Sequence, residues 1–198
     1  MQIVLASQSP SRRQILNSAG VEPLIHPADV DEDALIRSLN GAAPEEIVRQ
    51  LALAKAKVVA PSYPGDVVIG GDSMLLIDAT LQGKPHTREA TIERWKQQRG
   101  KQATLITGHA IIYGDTVITE SSATTIYFAD ASDTDIERYA ASGEPLECAG
   151  AFTLEALGGW FIDSIEGDPS SVIGLSLPVV RRALYQLGFN ASDFWNRA

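Results

Sequence analysis

The run Ala103-Thr104-Leu105-Ile106-Thr107-Gly108-His109-Ala110-Ile111-Ile112-Tyr113-Gly114-Asp115-Thr116-Val117-Ile118-Thr119 is rich in β-branched residues and broken once, at Gly114-Asp115. It predicts two long strands, 103–113 and 116–128, joined by a hairpin turn. Upstream, strands and helices alternate. Residues 3–6 read as a short buried strand, Ser9 as an N-cap with Pro10 at the first helical position, and Gly20 as the stop. A short strand is expected at 24–26. The acidic run Asp29 to Asp33 leads into a short helix, and Pro44 opens a longer one to about residue 60. Two buried strands, 67–69 and 74–77, are expected around a Gly70-Gly71-Asp72-Ser73 turn. Thr87 and Ser132 cap further helices, 160–166 reads as a strand, and Pro178 opens a last helix ended by Gly188. Alternation followed by a long hairpin predicts an α/β fold with a mixed sheet.

Composition narrows the class. The 198 residues are 44% hydrophobic and 21% charged, which excludes a disordered or fibrous chain. Sixteen Lys and Arg against 25 Asp and Glu leave a net charge of −9. Such a field repels nucleic acid and anionic membrane, so phosphate binding requires a local basic cluster. The single cysteine, Cys148, makes no internal disulfide and no thiolate zinc cage, which points to a reducing compartment. The start, Met1-Gln2-Ile3-Val4-Leu5-Ala6, lacks the charged region of a secretory leader, and no apolar stretch approaches spanning length. The expectation is a cytoplasmic globular protein.

Several segments carry chemistry, and each has a plainer reading beside it. Ser7-Gln8-Ser9-Pro10-Ser11-Arg12-Arg13 is a strand-to-helix turn where free N–H groups, hydroxyls and guanidinium groups suit a polyphosphate; it reads equally as a capped surface helix. Asp72, after a buried apolar strand, is placed where open α/β sheets hold ligands and can activate water or bind a divalent ion; an Asp-Ser turn is the alternative. Gln82-Gly83-Lys84-Pro85 is no Walker A loop, because Pro85 follows the lysine and Asp78 stands where the first glycine belongs. Lys84 remains a point charge for a phosphate or a solvated turn lysine. The Asp29 to Asp33 run fails as a calcium loop, with Ala34 and Asn40 at the glycine and glutamate places, and Pro27 spoils it as an aspartyl nucleophile after a strand. A carboxylate cluster able to share magnesium survives, against a solvated helix start. Lys55 and Lys57 read as surface charges, Cys148 as a packed thiol, and His109 as a structural strand histidine unless it reaches a site.

Together the segments resemble the Maf family of nucleotide pyrophosphatases. Leu5-Ala6-Ser7-Gln8-Ser9-Pro10-Ser11-Arg12-Arg13 resembles the opening motif, Gly71-Asp72-Ser73 the segment around the family's aspartate, and Gly83-Lys84-Pro85 its Gly-Lys-Pro turn. Gly143-Glu144-Pro145-Leu146-Glu147-Cys148-Ala149-Gly150-Ala151-Phe152 resembles the Glu-Pro…Ala-Gly stretch, and Gly167-Asp168-Pro169-Ser170-Ser171-Val172-Ile173-Gly174-Leu175-Ser176-Leu177-Pro178 the closing motif. The matches run through the chain in the family's order, and their wording is similar to that of actinobacterial members.

The resemblance implies one Maf-type domain over 1–198, with a mixed twisted α/β sheet in two lobes flanking a deep substrate cleft, as in inosine triphosphatases. It implies hydrolysis of nucleoside triphosphates, modified ones included, to monophosphate and pyrophosphate with a divalent cation, Mg2+ or Mn2+. On matching positions, Asp72 is the catalytic proton acceptor or metal ligand and Glu32 the second metal-side acid. Ser7, Arg12, Lys55 and Lys84 grip phosphates, and Ser11, Ser73 and Glu155 bear on base specificity. Ser11 stands where many members have arginine or tryptophan, Ser73 where Thr or Gln is usual, and Glu155 where many have Gln. The expected partner is the nucleotide substrate, with a homodimer left open and neither nucleic acid nor membrane expected. The alternative is a nucleotide-binding regulator of septum formation without significant turnover; a P-loop kinase has no support.

Overall fold

The computed structural model describes residues 1–196; the last two positions of the expected 1–198 domain lie outside the described residues. The chain runs β1 (Ile3–Leu5), α1 (Pro10–Ser18), β2 (Leu24–Ile25), α2 (Glu32–Ser38), α3 (Pro44–Val59), β3 (Val67–Ile77), β4 (Thr80–Gln82), α4 (Arg88–Gln98), β5 (Gln102–Tyr113), β6 (Thr116–Phe128), α5 (Asp133–Ala141), β7 (Ile162–Glu166), α6 (Pro169–Ile173) and α7 (Leu177–Gln186). The strands form a seven-stranded sheet in the order β2-β1-β3-β5-β6-β7, with β4 on β3. β1 is parallel to β2 and β3, while β4 on β3 and β7 on β6 are antiparallel, so the sheet is mixed. Among the described residues no helix is long and apolar enough to cross a membrane.

Two compact units divide the chain. The first comprises residues 1–72, 107–122 and 174 onward; the second comprises 73–106 and 123–173. In the first, Ile3, Val4 and Leu5 are all buried, which requires cover on both faces of β1 and explains a continuous apolar run rather than an alternating one. One core joins Val4, Ala6, Val68, Ala110 and Ile112 of the strands to Ala52, Ala56 and Val59 of α3. The helix comes unusually close to the sheet. A Cβ on Gly70 would lie 2.2 Å from the carbonyl oxygen of Ala52, and one on Gly108 2.2 Å from that of Val48. Gly70, opposite Ala52 and Ala56, and Gly108, opposite the Val48–Arg49 backbone, let α3 lie directly on β3 and β5.

The Gly70-Gly71-Asp72-Ser73 turn expected from the sequence does not exist. β3 runs unbroken through it, with Asp72 at the sixth of eleven positions rather than at a strand end. These glycines serve clearance, not reversal: Gly70 faces α3, and Gly71 faces the Arg12 side chain, whose Nε would lie 3.1 Å from an added Cβ. The last strand begins at Ile162, because Leu157–Phe161 winds as a 3-10 turn, and β4 and α6 carry no signal in the sequence reading.

In the second unit the core centres on Trp95 of α4, which is fully buried. Its ring meets Phe128, Tyr139 and Phe161 edge-on at 5.5–5.7 Å between centroids, the geometry that aromatic quadrupoles favour. Its Nε1–H donates to Ala151 O at 2.7 Å, and Gln98 Nε2 donates to Gly150 O at 3.2 Å. These two bonds fasten the 149–151 turn to α4.

Gly70→Ala and Gly108→Ala should each destabilise the protein by about 1–3 kcal/mol or more, since a methyl is forced against backbone that cannot turn aside. Urea unfolding midpoints test this, with Gly65→Ala, where nothing lies within 4 Å, as control.

Candidate active site

In the first unit, five of the residues singled out in the sequence come together. Ser9 caps α1 by accepting from the Arg12 N–H, and Pro10 supplies the pre-set first helical residue. This fixes where Arg12 leaves the helix. Its guanidinium is buried, donating from Nε to Gly174 O at 2.7 Å and from Nη1 to Ser7 Oγ at 3.1 Å. Ser7 Oγ also accepts from the Ser9 N–H at 3.2 Å. Lys55 shares the buried face of α3 with Ala52 and Ala56, so the close packing at Gly70 carries its ammonium to the sheet. There Nζ contacts Asp72 Oδ1 at 2.7 Å and Glu32 Oε1 at 2.9 Å.

Burial is the dominant influence on these charges. It pushes the Asp72 carboxyl above the ordinary carboxylate range; Lys55 and Arg12 oppose that shift and Glu32 adds to it. Burial likewise lowers the Arg12 guanidinium, against the holding charges of Asp72 and Glu32. The Lys55–Asp72 pair is well buried, whereas the Glu32 side chain is about half exposed (47%), so Lys55 bridges an interior carboxylate to one at the surface.

Among the described residues no group of three or more His, Cys, Asp or Glu could hold a metal ion. Asp72 and Glu32, meeting at the Lys55 ammonium, are the carboxylates that could bind a hard divalent ion, the kind of ion that keeps waters and substrate phosphates among its ligands.

The remaining residues lie elsewhere. Ser11 is half-buried on α1, and Ser73 is half-buried on β3 immediately after Asp72. Lys84 and Glu155 belong to the second unit. Lys84 is exposed, its Nζ 3.3 Å from Glu147 Oε2, while His86 Nδ1 lies 3.1 Å from Glu147 Oε1. The backbone there is pinned: Gly83 O accepts from Gly150 N–H and from Arg94 Nη1, and His86 N–H donates to Leu146 O. Glu155 is exposed, and its Oε2 accepts from the Leu154 N–H at 3.1 Å. His109 is structural: buried on β5, its Nε2 accepts the Ser176 N–H at 2.8 Å at the start of α7.

Three contributors escaped the sequence reading. Gly174 supplies a carbonyl to Arg12 from 162 residues away, Glu147 pairs with Lys84 across 63 residues, and Glu144 gathers donors from three residues. All three stood inside quoted motifs, but nothing local marked their partners.

The family model described as Maf-like protein matches residues 2–187. The nucleoside triphosphate pyrophosphatase of Corynebacterium glutamicum strain R is 91% identical over 196 residues, covering 99% of this chain and 100% of that protein. The protein of the same name from Corynebacterium efficiens is 77% identical over 197 residues, covering 100% of each. Among solved structures, the Staphylococcus aureus Ham1 protein aligns with 66% of this chain and 73% of its own at 19% identity and a TM-score of 0.44.

Cys148 reports on the charges around it. Burial, then the carboxylates of Glu155 and Glu144, push its thiol up to about 11, with Lys84 opposing. At pH 8 the thiolate fraction should fall about 100-fold below that of a cysteine of pKa 9, so iodoacetamide labelling of the native protein should be slow by a similar factor. Mass spectrometry against the urea-unfolded chain checks this.

Proposed function

The chain belongs to the Maf family, and we propose from that premise that it hydrolyses the α–β phosphoanhydride of nucleoside triphosphates, modified ones included, to monophosphate and pyrophosphate. The observation that carries the reading is the buried Lys55–Asp72 pair, a carboxylate that also feels the charge of the Arg12 guanidinium. A pure nucleotide binder has use for the cations but not for a buried carboxylate beside them.

Asp72 takes the proton of the water that attacks the α-phosphorus, and its desolvation makes it the better base. Ser7, Arg12 and Lys55 hold phosphate oxygens, and Lys84 is a further phosphate contact expected from its Gly-Lys-Pro motif. Each charge-assisted contact contributes about 1.5–3 kcal/mol net, which a chain of net charge −9 needs in order to admit a polyanion. Glu32 and Asp72 would hold a divalent cation, Mg2+ or Mn2+, which supplies charge neutralisation on the phosphates. Because the cations grip the leaving group, pyrophosphate is the expected first product. Ser11, Ser73 and Glu155 bear on base specificity. We place the enzyme in the cytoplasm as one catalytic domain acting on free nucleotides, with a homodimer as the assembly to examine by light scattering.

The test is turnover of a triphosphate panel with magnesium, scored separately for pyrophosphate and orthophosphate. Pyrophosphate should appear first and excess EDTA should abolish turnover; direct orthophosphate release, or full activity in EDTA, counts against the reading. Asp72→Asn keeps size but loses charge and proton affinity, and kcat should fall at least about 10²-fold.

Glu155 bears on the base. A carboxylate only accepts hydrogen bonds, so it suits the adjacent N1–H and 2-amino donors of guanine and opposes the carbonyls of uracil and thymine. Opposed acceptors cost about 1–3 kcal/mol. Guanine-type triphosphates, 7-methylated ones included, should therefore be preferred over UTP and dTTP, and Glu155→Gln should narrow the kcat/KM ratio. An unchanged ratio would remove Glu155 from base reading.

A further inference from the structure

Within the second unit, the chain leaves Thr153 and returns at Gly158, and the short connection 154–157 between them carries Glu155. Its two ends are held together from beneath by Glu144. Glu144 Oε1 accepts from the Thr153 hydroxyl and from the Gly158 N–H at 3.0 Å, while Oε2 accepts from the Leu157 N–H at 3.2 Å. The Thr153 hydroxyl also accepts from Gly158 N–H at 3.2 Å, and Tyr139 Oη accepts from Thr153 N–H at 3.1 Å. At Gly158 no side chain fits: a Cβ would lie 2.4 Å from Thr153 O and 2.5 Å from Tyr139 Oη. Burial would raise the Glu144 carboxyl, but the donors from Thr153, Gly158, Leu157 and Tyr139 outweigh it and leave the group below its ordinary value. The carboxylate is thus ionised at neutral pH and satisfied by groups at the two ends of one loop.

We propose that Glu144 is a positioning residue for base selection: it clamps the ends of the 154–157 loop and so sets where Glu155 presents its carboxylate. This rests on the reading of Glu155 given above. Two features make the clamp specific. Glu144 binds one backbone N–H at the loop's last residue and one just beyond it, so both must follow if it moves. The hydrogen bond Glu155 accepts comes from the neighbouring Leu154 N–H, inside the same loop, so its direction is inherited from the loop. The partners of Glu144, namely Thr153, Leu157 and Gly158, are not reacting groups, so the chemical step should be spared.

Glu144→Gln is the discriminating variant. An amide must turn its N–H2 towards either Leu157 N–H or the Thr153–Gly158 donors, which sets donor against donor and opens one side of the clamp. The ratio of kcat/KM for GTP over UTP should fall about fivefold or more, carried by KM, while kcat for GTP changes by less than about twofold. In a Glu155→Gln background the same substitution should leave the ratio unmoved, because its effect passes through Glu155. Thr153→Val, which keeps the shape and removes the shared hydroxyl, should shift the ratio in the same direction and serves if Glu144→Gln does not fold. Amide exchange gives a readout independent of turnover: Leu157 and Gly158 should be protected in the native protein and exchange at least about tenfold faster in the folded variants. A ratio unchanged in folded Glu144→Gln or Thr153→Val, an equal shift in the Glu155→Gln background, or unprotected amides in the native chain would overturn the proposal. A native protein that protects these amides yet turns over no triphosphate would instead bring down the functional reading and leave the clamp standing.

Discussion

The approach of helix α3 onto the sheet is the constraint on which the first unit depends. Helices ordinarily stand off from a sheet by the depth of their side chains. Here Gly70 and Gly108 remove that depth on the sheet side, and Ala52 and Ala56 reduce it on the helix side. A lysine stem is long, but a fully extended one loses much rotamer freedom. With the backbones this close, Lys55 reaches Asp72 while remaining buried along its stem, and its ammonium still extends to Glu32. The charge arrangement is therefore a consequence of packing. Nothing about Lys55 in isolation distinguishes it from Lys57, two residues on, which is exposed.

A buried ion pair is not in itself a source of stability, because desolvation of two charges offsets much of their attraction. Three buried or bridging groups, Arg12, Lys55 and Asp72, are therefore a standing cost unless they are used. The structure limits that cost by pairing them: Arg12 has Ser7 and Gly174, Lys55 has two carboxylates, and Asp72 has the Lys55 ammonium. The second unit follows a different plan. Its aromatic cluster about Trp95 supplies rigidity, and polar groups such as Gln98 and Glu144 spend their hydrogen bonds on loop backbone. One unit concentrates charge in its interior; the other uses an aromatic core to hold loops that stay at the surface.

Much of this was legible in the chain. Apolar periodicity, proline and the capping residues Ser9, Thr87 and Ser132 mark helix starts to within a residue or two, and Gly114-Asp115 marks the hairpin. The glycines at 70 and 71 misled because glycine signals two unlike things, a reversal of the chain or a close neighbour, and only the tertiary partner distinguishes them. Of the site, the residue types were readable: Ser7, Arg12, Glu32, Lys55 and Asp72 are named by motif resemblance, and the structure gathers them. Their mutual geometry was not readable, since the Arg12–Gly174 bond spans 162 residues and no local pattern encodes it. Glu144 shows the same limit. As one acid in a Glu-Pro pair it looks like a solvated turn residue until residues 153, 157 and 158 return to it.

The continuity of β3 has a consequence for how this chain can vary. Side chains along a strand alternate faces, so Gly70 and Asp72 share the parity that looks toward α3, and Gly71 has the opposite one toward Arg12. β3 sits between β1 and β5, and its start is locked in step with β1 through the pairs Ile3 with Val67 and Leu5 with Ile69. The count from Val67 to Asp72 is therefore an address. A single residue gained or lost within it would turn the carboxylate away from Lys55 and push a side chain into the helix backbone at once. Lengthening is cheap in the surface connections elsewhere in the chain, whereas within this six-residue interval the spacing is as much a part of the site as the residues themselves.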